Sequence, residues 1–274
     1  QTGGRLKLLN GDKPRRVTDF GFGYQMNPGV TPNYADGGSK PVSPVCIALG
    51  KQLYADLPFS FPKTRFFGGE LAEASLVAFQ DRRGGCNAAL PPHTWFESAQ
   101  AYIGRAAAQA EKPPFSFSIK GGNNGECRHQ HHDIGSFNVA VGQVLLAGDP
   151  GSMDYTAKSF GAERFKMPLH GSYGHPVPVV AGKWQANGKN HAAKVVSTSF
   201  SPERDVLVYD LKGAYDVPEL VSLTRTVVFD RRERSCSIRD HVGFSRPATF
   251  ETAVGTKHEI VQDGAAAVFR LTDK

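Results

Sequence analysis

Apolar and polar positions change their rhythm along this chain near residue 95. Before it, apolar residues recur at helical spacing in 43–57, where Val45, Ala48, Leu49 and Leu53 fall on one face and Ser43-Pro44 supplies a start signal. A second helix is predicted over 70–80. Stretches dense in breakers surround both: NPGVTPNYADGGSKP at 27–41, LPFSFPK at 57–63 and RRGGCNAALPPH at 82–93. From Trp95 onward the pattern becomes that of strands. Short runs rich in β-branched and aromatic residues occupy 96–105, 115–120, 136–147, 194–200, 205–211, 222–230, 235–242, 249–254 and 265–271, with Gly, Pro, Asp and Asn between them. TRTVVFD and SCSIRDHV alternate on either side of the four charged residues RRER, which predicts a hairpin. So many short strands without helical patterns between them predict a mainly β fold, an antiparallel β-sandwich, over 95–274. Residues 1–94 are predicted as short helices joined by long loops.

Composition adds detail to this picture. The 30 glycines and 18 prolines in 274 residues exceed the usual combined share of about 12%, with no G-X-Y period, which favours turns over long helices. Eighteen Phe and eight Tyr supply a sizeable core. The net charge of +6 is denser early, with 11 Lys/Arg against 7 Asp/Glu in 1–94. Such an excess suits a polyanion, but no Lys/Arg run exceeds two residues and no zinc-finger spacing or RNP-like motif is present, so nucleic acid is not expected as a partner. No apolar stretch is long enough for a membrane span. The opening QTGGRLKLLN lacks the apolar core of a signal peptide, as expected of a soluble or a processed chain. Four cysteines far apart, with no CxxC pair, are poor metal or redox candidates.

The chemistry concentrates in histidines. Read as extended, Cys127–Phe137 places His129, His131 and Asp133 on one face and His132 on the other. Asp149 follows the next apolar run, and His170 and His175 lie in LHGSYGHPVP. Two His plus one Asp make a three-ligand set for zinc, with the fourth position left to water or substrate. Spacing does not choose among the histidines, and the competing reading of H-x-H in a β protein is two surface or packed side chains. His93, His191, His241 and His258 are scattered singly and read as structural.

Several ordered segments resemble one family. WFESAQAYIGR (95–105), FSIKGGNNGE (117–126), HQHHDIGSF (129–137), LLAGDPGSMDYTAKSF (145–160) and HGSYGHPVPVVAGKWQ (170–185) look like the β-sandwich part of heparinase II/III-like polysaccharide lyases, which include heparin/heparan sulfate and alginate lyases. PNYADGG (32–38) resembles the end of the preceding helical toroid. The resemblance implies an antiparallel β-sandwich at 95–274, preceded at 1–94 by the short helical end of an incomplete α/α toroid, with the substrate cleft between them. It implies His129 as the active-site histidine, a structural zinc on His131, Asp149 and His175, and an acidic polysaccharide as partner. It also implies a periplasmic or secreted location. Oligomeric state is not readable.

The implied reaction is β-elimination at a uronic acid, which needs a base for the C5 proton, neutralisation of the carboxylate and an acid for the leaving oxygen. His129 is the expected proton-transfer group, and Arg105 and Arg164 are expected to meet anionic sugar. The sequence departs from the family in two places. No counterpart of the toroid tyrosine or Asn-His pair is found between Gln1 and Thr94, as expected if the chain is the C-terminal part of a longer lyase. Arg164-Phe165 stands where the family often has Arg-Tyr, which leaves Tyr155 or Tyr173 to supply the phenol. Two other readings compete. A metallo-β-lactamase-like hydrolase needs H-x-H-x-D-H, but here the sixth position is Ile134. The other is a non-catalytic carbohydrate-binding or scaffold sandwich derived from a lyase.

Overall fold

Runs of β-branched and aromatic residues pair into two antiparallel sheets in the computed structural model, which describes residues 12–38, 90–125, 129–161 and 163–270. The predicted helices at 43–57 and 70–80 lie outside the described residues, as do Cys46, Cys86 and Cys127. In chain order the strands are β1 (His93–Phe96), β2 (Ala101–Ala106), β3 (Phe115–Lys120), β4 (Asn123–Asn124), β5 (Phe137–Val141), β6 (Val144–Gly148), β7 (Val179–Val180) and β8 (Gly188–Ala192). They continue as β9 (Lys194–Phe200), β10 (Arg204–Asp210), β11 (Leu220–Asp230), β12 (Ser235–Phe244), β13 (Phe250–Glu251), β14 (Glu259–Asp263) and β15 (Ala266–Arg270). One sheet runs β1-β2-β3-β5-β6 and the other β12-β11-β10-β9. The short strands pair as β13-β7, β14-β15 and β4-β8.

The two sheets form a sandwich because alternation aims one face of each at the other. Tyr102, Phe117, Ile119 and Phe137 from the first sheet join Leu207, Tyr209, Leu223, Val227 and Phe229 from the second in a single buried cluster. Each large side chain withdrawn from water here contributes about 1.5–3 kcal/mol. The hairpin at RRER forms as predicted, with β11 and β12 joined in register from Asp230↔Ser235.

Three predicted runs are divided or shortened. The run at 96–105 breaks at a 3-10 turn, Glu97–Ala99, after which Gln100 takes a left-handed φ of 50°. The run at 136–147 is a hairpin of β5 and β6, and 249–254 keeps only two strand residues.

Strand β2 is buried at all six positions, since a second layer covers its other face. Tyr102 and Ala106 enter the inter-sheet core, whereas Ile103 packs with Met26, Val30 and Ala140. That layer is helix α1 (Asp12–Gly23) and the loop after it. Asp12 in the first turn complements the helix dipole and Pro14 sits where amide donors lack partners. The loop is tied down by Tyr34 Oη to Ser118 Oγ at 2.8 Å and by Asn27 Nδ2 donating to the Gly142 carbonyl at 2.7 Å.

Candidate functional site

The segment 129–136 is not a strand. Its backbone is bonded by side chains instead: Gln185 Oε1 accepts from the Ile134 amide at 3.0 Å while its Nε2 donates to the Ile134 carbonyl at 2.7 Å, so one amide side chain acts as a strand neighbour. Ser172 Oγ donates to the His132 carbonyl at 2.8 Å. Gly135 closes the loop at a φ of +84°, where a Cβ would lie 2.9 Å from Leu211 Cδ1. The expected alternation therefore breaks. His131 and Asp133 point into the protein with their side chains fully buried, and His129 points outward with a side chain 64% exposed.

Below the surface lie two adjoining donor groups. One ligand atom each from Asp133, Asp149 and His175 lies within 4.8 Å of the others, and the same holds for Asp36, His131 and His170. Asp149 Oδ2 is 2.9 Å from His175 Nδ1 and accepts from Ser136 Oγ, and Asp149 Oδ1 accepts from the Gly151 amide at 2.9 Å. His175 donates its Nε2 proton to the Leu169 carbonyl at 3.0 Å, which leaves Nδ1 as the atom facing the carboxylate. Burial opposes charge on His175, but the hydrogen bond and charge of Asp149 outweigh it and raise its pKa. Burial likewise raises Asp149. Burial also acts to raise Asp133, but Lys120, 2.5 Å away, outweighs it and holds that carboxyl below the usual range.

The trio expected from the resemblance straddles these groups: Asp149 and His175 share one, and His131 belongs to the other with its ring 5.2 Å from that of His175. Burial pushes His131 down to about 4, so its imidazole is neutral, the form in which a histidine binds metal. Its Nδ1 is buried without a hydrogen-bond partner, as are both ring nitrogens of His170. Unpartnered imidazole nitrogens beside buried carboxylates are the chemistry of a cation site, so these residues fit a metal ion.

Above this floor the exposed His129 meets Asp36 and Tyr155. Asp36 was read only as part of the toroid-end segment, 93 positions before His129, and it is the centre of the group. Its Oδ2 accepts from Tyr155 Oη and lies 2.6 Å from His129 Nδ1, while its Oδ1 lies 3.0 Å from His131 Nε2 and 3.6 Å from the Arg164 guanidinium. Partial burial acts to raise the Asp36 pKa, and the bonds from Tyr155, His129 and His131 outweigh it, so the carboxyl titrates below its ordinary range. The bond to Asp36 raises the Tyr155 phenol, which stays protonated.

The arginines fare differently. Arg164 is buried beside this group, donating to the Ser159 carbonyl at 2.7 Å and the Gln130 carbonyl at 3.2 Å. Arg105 is not at the histidines. It is buried against α1 and donates to the carbonyls of Gly23, Gln25 and Pro91 and to Thr94 Oγ1, so its donors are occupied in bracing the covering layer. Tyr173 packs edge-on against Trp184 at 6.1 Å, whereas Tyr155 lies 3.1 Å from His129 Nδ1. Phe165, where the family often carries tyrosine, stacks on His132 at 3.9 Å. Arg225 was not singled out in the sequence. It lies fully buried, gripping Asp240 through Nε and NH2 at 2.7 Å each and donating to the Gly135 and Pro176 carbonyls, one on each histidine-bearing loop.

Among solved structures, the chain is similar to a mutant of the heparan sulfate lyase HepC from Pedobacter heparinus, with a TM-score of 0.60 and 15% identity over 90% of this chain and 35% of that one. It is also similar to HepC itself (0.56, 15%, 83% and 32%) and to the heparinase III BT4657 gene product (0.59, 14%, 90% and 34%). At these identities the likeness is one of fold, and the chain spans about a third of the length of these proteins. No protein-family model matches the chain, and no curated protein matches it in sequence. Among the described residues no helix is long and apolar enough to cross a membrane.

Proposed function

We propose that this chain, with the end of a helical toroid in 1–94 and a β-sandwich in 95–274, is part of a polysaccharide lyase. It cleaves uronate-containing acidic polysaccharides, heparin- or heparan-like or alginate-like, by β-elimination in the periplasm or outside the cell. The observation that carries this reading is the outward-facing His129–Asp36–Tyr155 group set above a floor of buried carboxylates and imidazoles.

The carboxylate of Asp36 can only accept, so His129 donates through Nδ1 and its Nε2 lone pair is left to take a proton. In the elimination, Nε2 removes the C5 proton, the C5–H electrons form the C4–C5 double bond, and the C4–O bond breaks. Tyr155, protonated and adjacent, gives its proton to the leaving oxygen. Arg164 offsets the charge of Asp36 from beneath. The residues that would hold zinc are His131, Asp149 and His175. A bound zinc would supply structural cross-linking of the loop that carries His129 and His131 to the segments that carry Asp149 and His175.

The test is incubation of the zinc-supplemented protein with heparan sulfate, with alginate and with chondroitin sulfate, following the ultraviolet absorbance of the unsaturated uronide. One of these polymers should yield it, and His129→Ala should lower the rate by about 10²–10⁴-fold. His131→Ala should lower zinc content by elemental analysis. New reducing ends without ultraviolet absorbance would instead identify a hydrolase, and the absence of either product from every polymer would leave a binding sandwich in place of a lyase.

A further inference from the structure

The two histidines of the H-x-H stretch are two positions apart yet face different tasks, one outward and one inward, and a single carboxylate touches both. Asp36 Oδ2 is 2.6 Å from His129 Nδ1, and Asp36 Oδ1 is 3.0 Å from His131 Nε2. An imidazole carries one N–H when neutral, so the nitrogen that donates to the carboxylate decides which nitrogen keeps the lone pair. At His129 the remaining nitrogen is Nε2, on a side chain open to solvent. At His131 the remaining nitrogen is Nδ1, which is buried and has no hydrogen-bond partner. The atoms left free by Asp36 are thus the one a proton-transfer step needs and the one a metal needs.

We propose that Asp36 is a positioning residue that fixes opposite tautomers on the two histidines, Nδ1–H on His129 and Nε2–H on His131. The role toward His131 is that of the carboxylate behind a metal-binding histidine, and the role toward His129 is that of the carboxylate behind a base. The proposal rests on the lyase reading for the use made of His129 Nε2, while the tautomers themselves do not depend on that reading. The surroundings keep the carboxylate in one orientation. Arg164 lies 3.6 Å from Oδ1, so that side must remain an acceptor, and Tyr155 donates to Oδ2. The Asp36 amide bonds the His129 carbonyl at 3.4 Å and the neighbouring Ala35 amide bonds Asp133 Oδ2 at 3.3 Å, which anchors the backbone on either side of the interaction.

The experiment is long-range proton–nitrogen correlation NMR of the metal-free protein with 15N-labelled histidine, with His129 and His131 assigned by single His→Gln variants. The wild type should show Nδ1–H at His129 and Nε2–H at His131. In Asp36→Asn the carboxamide oxygen should stay toward Arg164 and His131, so its NH2 turns to His129 and converts that ring to Nε2–H with His131 unchanged. In Asp36→Ala both rings should become tautomer mixtures, and zinc affinity, measured by competition with a chelator, should fall by about 10–100-fold. An unchanged His129 tautomer in Asp36→Asn overturns the proposal, and this near-isosteric variant decides the matter even if Asp36→Ala does not fold. Unchanged zinc affinity in folded Asp36→Ala overturns the His131 half. A protein with these tautomers that makes no unsaturated uronide would refute the lyase reading while leaving the assignment of Asp36 intact.

Discussion

Replacing Arg225 by Met keeps a long apolar side chain in the sandwich and removes only the guanidinium. Four interactions go with it: two bonds of 2.7 Å to Asp240 and bonds of 2.7 and 3.1 Å to the Gly135 and Pro176 carbonyls. The Asp240 side chain is 9% exposed, so its carboxylate loses its counter-charge without gaining much water. A buried group left without its partner costs about 1–3 kcal/mol, and breaking a buried ion pair from one side costs about 3–5 kcal/mol. We expect a loss of about 3–5 kcal/mol, because relaxation of the carbonyls offsets part of their share. Urea unfolding followed by tryptophan fluorescence measures it. With a slope of about 3 kcal/mol/M the midpoint should fall by about 1–2 M. The double variant Arg225→Met/Asp240→Leu should recover most of the loss, since an apolar pair can replace a buried ionic one. A single variant within about 1 kcal/mol of wild type would refute the view that this arginine braces the histidine loops against the second sheet.

Other perturbations separate stability from chemistry. Gly135→Ala puts a Cβ 2.9 Å from Leu211 Cδ1 at a φ of +84°, and should cost about 1–3 kcal/mol, read as a lower Tm. Tyr155→Phe keeps the ring packed on Phe160 at 4.9 Å and should shift stability by no more than about 0.5 kcal/mol, while formation of unsaturated product falls by about 10²-fold or more. Burial pushes the Cys236 thiol up to about 11 from the usual 9.0, so on raising the pH the unfolded chain loses this proton first. The stability held by the thiol is full below about pH 9 and lost towards pH 11. The gap in urea midpoint between wild type and Cys236→Ala should therefore narrow over that interval, and a constant gap would contradict it.

Local pattern was enough wherever a residue's partner is its sheet neighbour. The alternation in 205–211 and 222–230 is the alternation of buried side chains in β10 and β11, and the charged tetrad between β11 and β12 is a turn. In helix α1 apolar spacing and burial do not coincide: Val17, Phe20 and Tyr24 stand at i, i+3 and i+7, yet Val17 and Phe20 are exposed and Phe22 is the one buried residue of the helix. The H-x-H stretch misled for a different reason. A period of two assumes a neighbouring strand, and here the backbone partners are Gln185 and Ser172, whose side chains arrive from 40 to 51 positions away. The donors His131, Asp149 and His175 could be singled out from residue type and resemblance, but Asp36 could not. Nothing in a loop with one aspartate signals a contact 93 positions downstream, although its place inside the breaker-rich stretch 27–41 marks a turn rather than an element.

The covering layer that carries Asp36 is held more lightly than the sandwich it lies on. Among the described residues, Met26 and Val30 meet Ile103 and Ala140 in a cluster much smaller than the one between the sheets, and the rest of the attachment is the packing of Phe20 and Tyr24 on Phe96 and polar bonds such as those of Arg105, Asn27 and Tyr34. Segments with few buried apolar contacts open at a smaller free energy than the whole domain unfolds. Warming or mild denaturant would lift this layer away while both sheets persist, and with it would go the carboxylate that distinguishes His129 from His131. The buried Asp133–Asp149–His175 group, which belongs to the sandwich, would survive that opening. Proton transfer would then have a melting point of its own, set by how firmly residues 12–38 lie on a sheet they do not belong to.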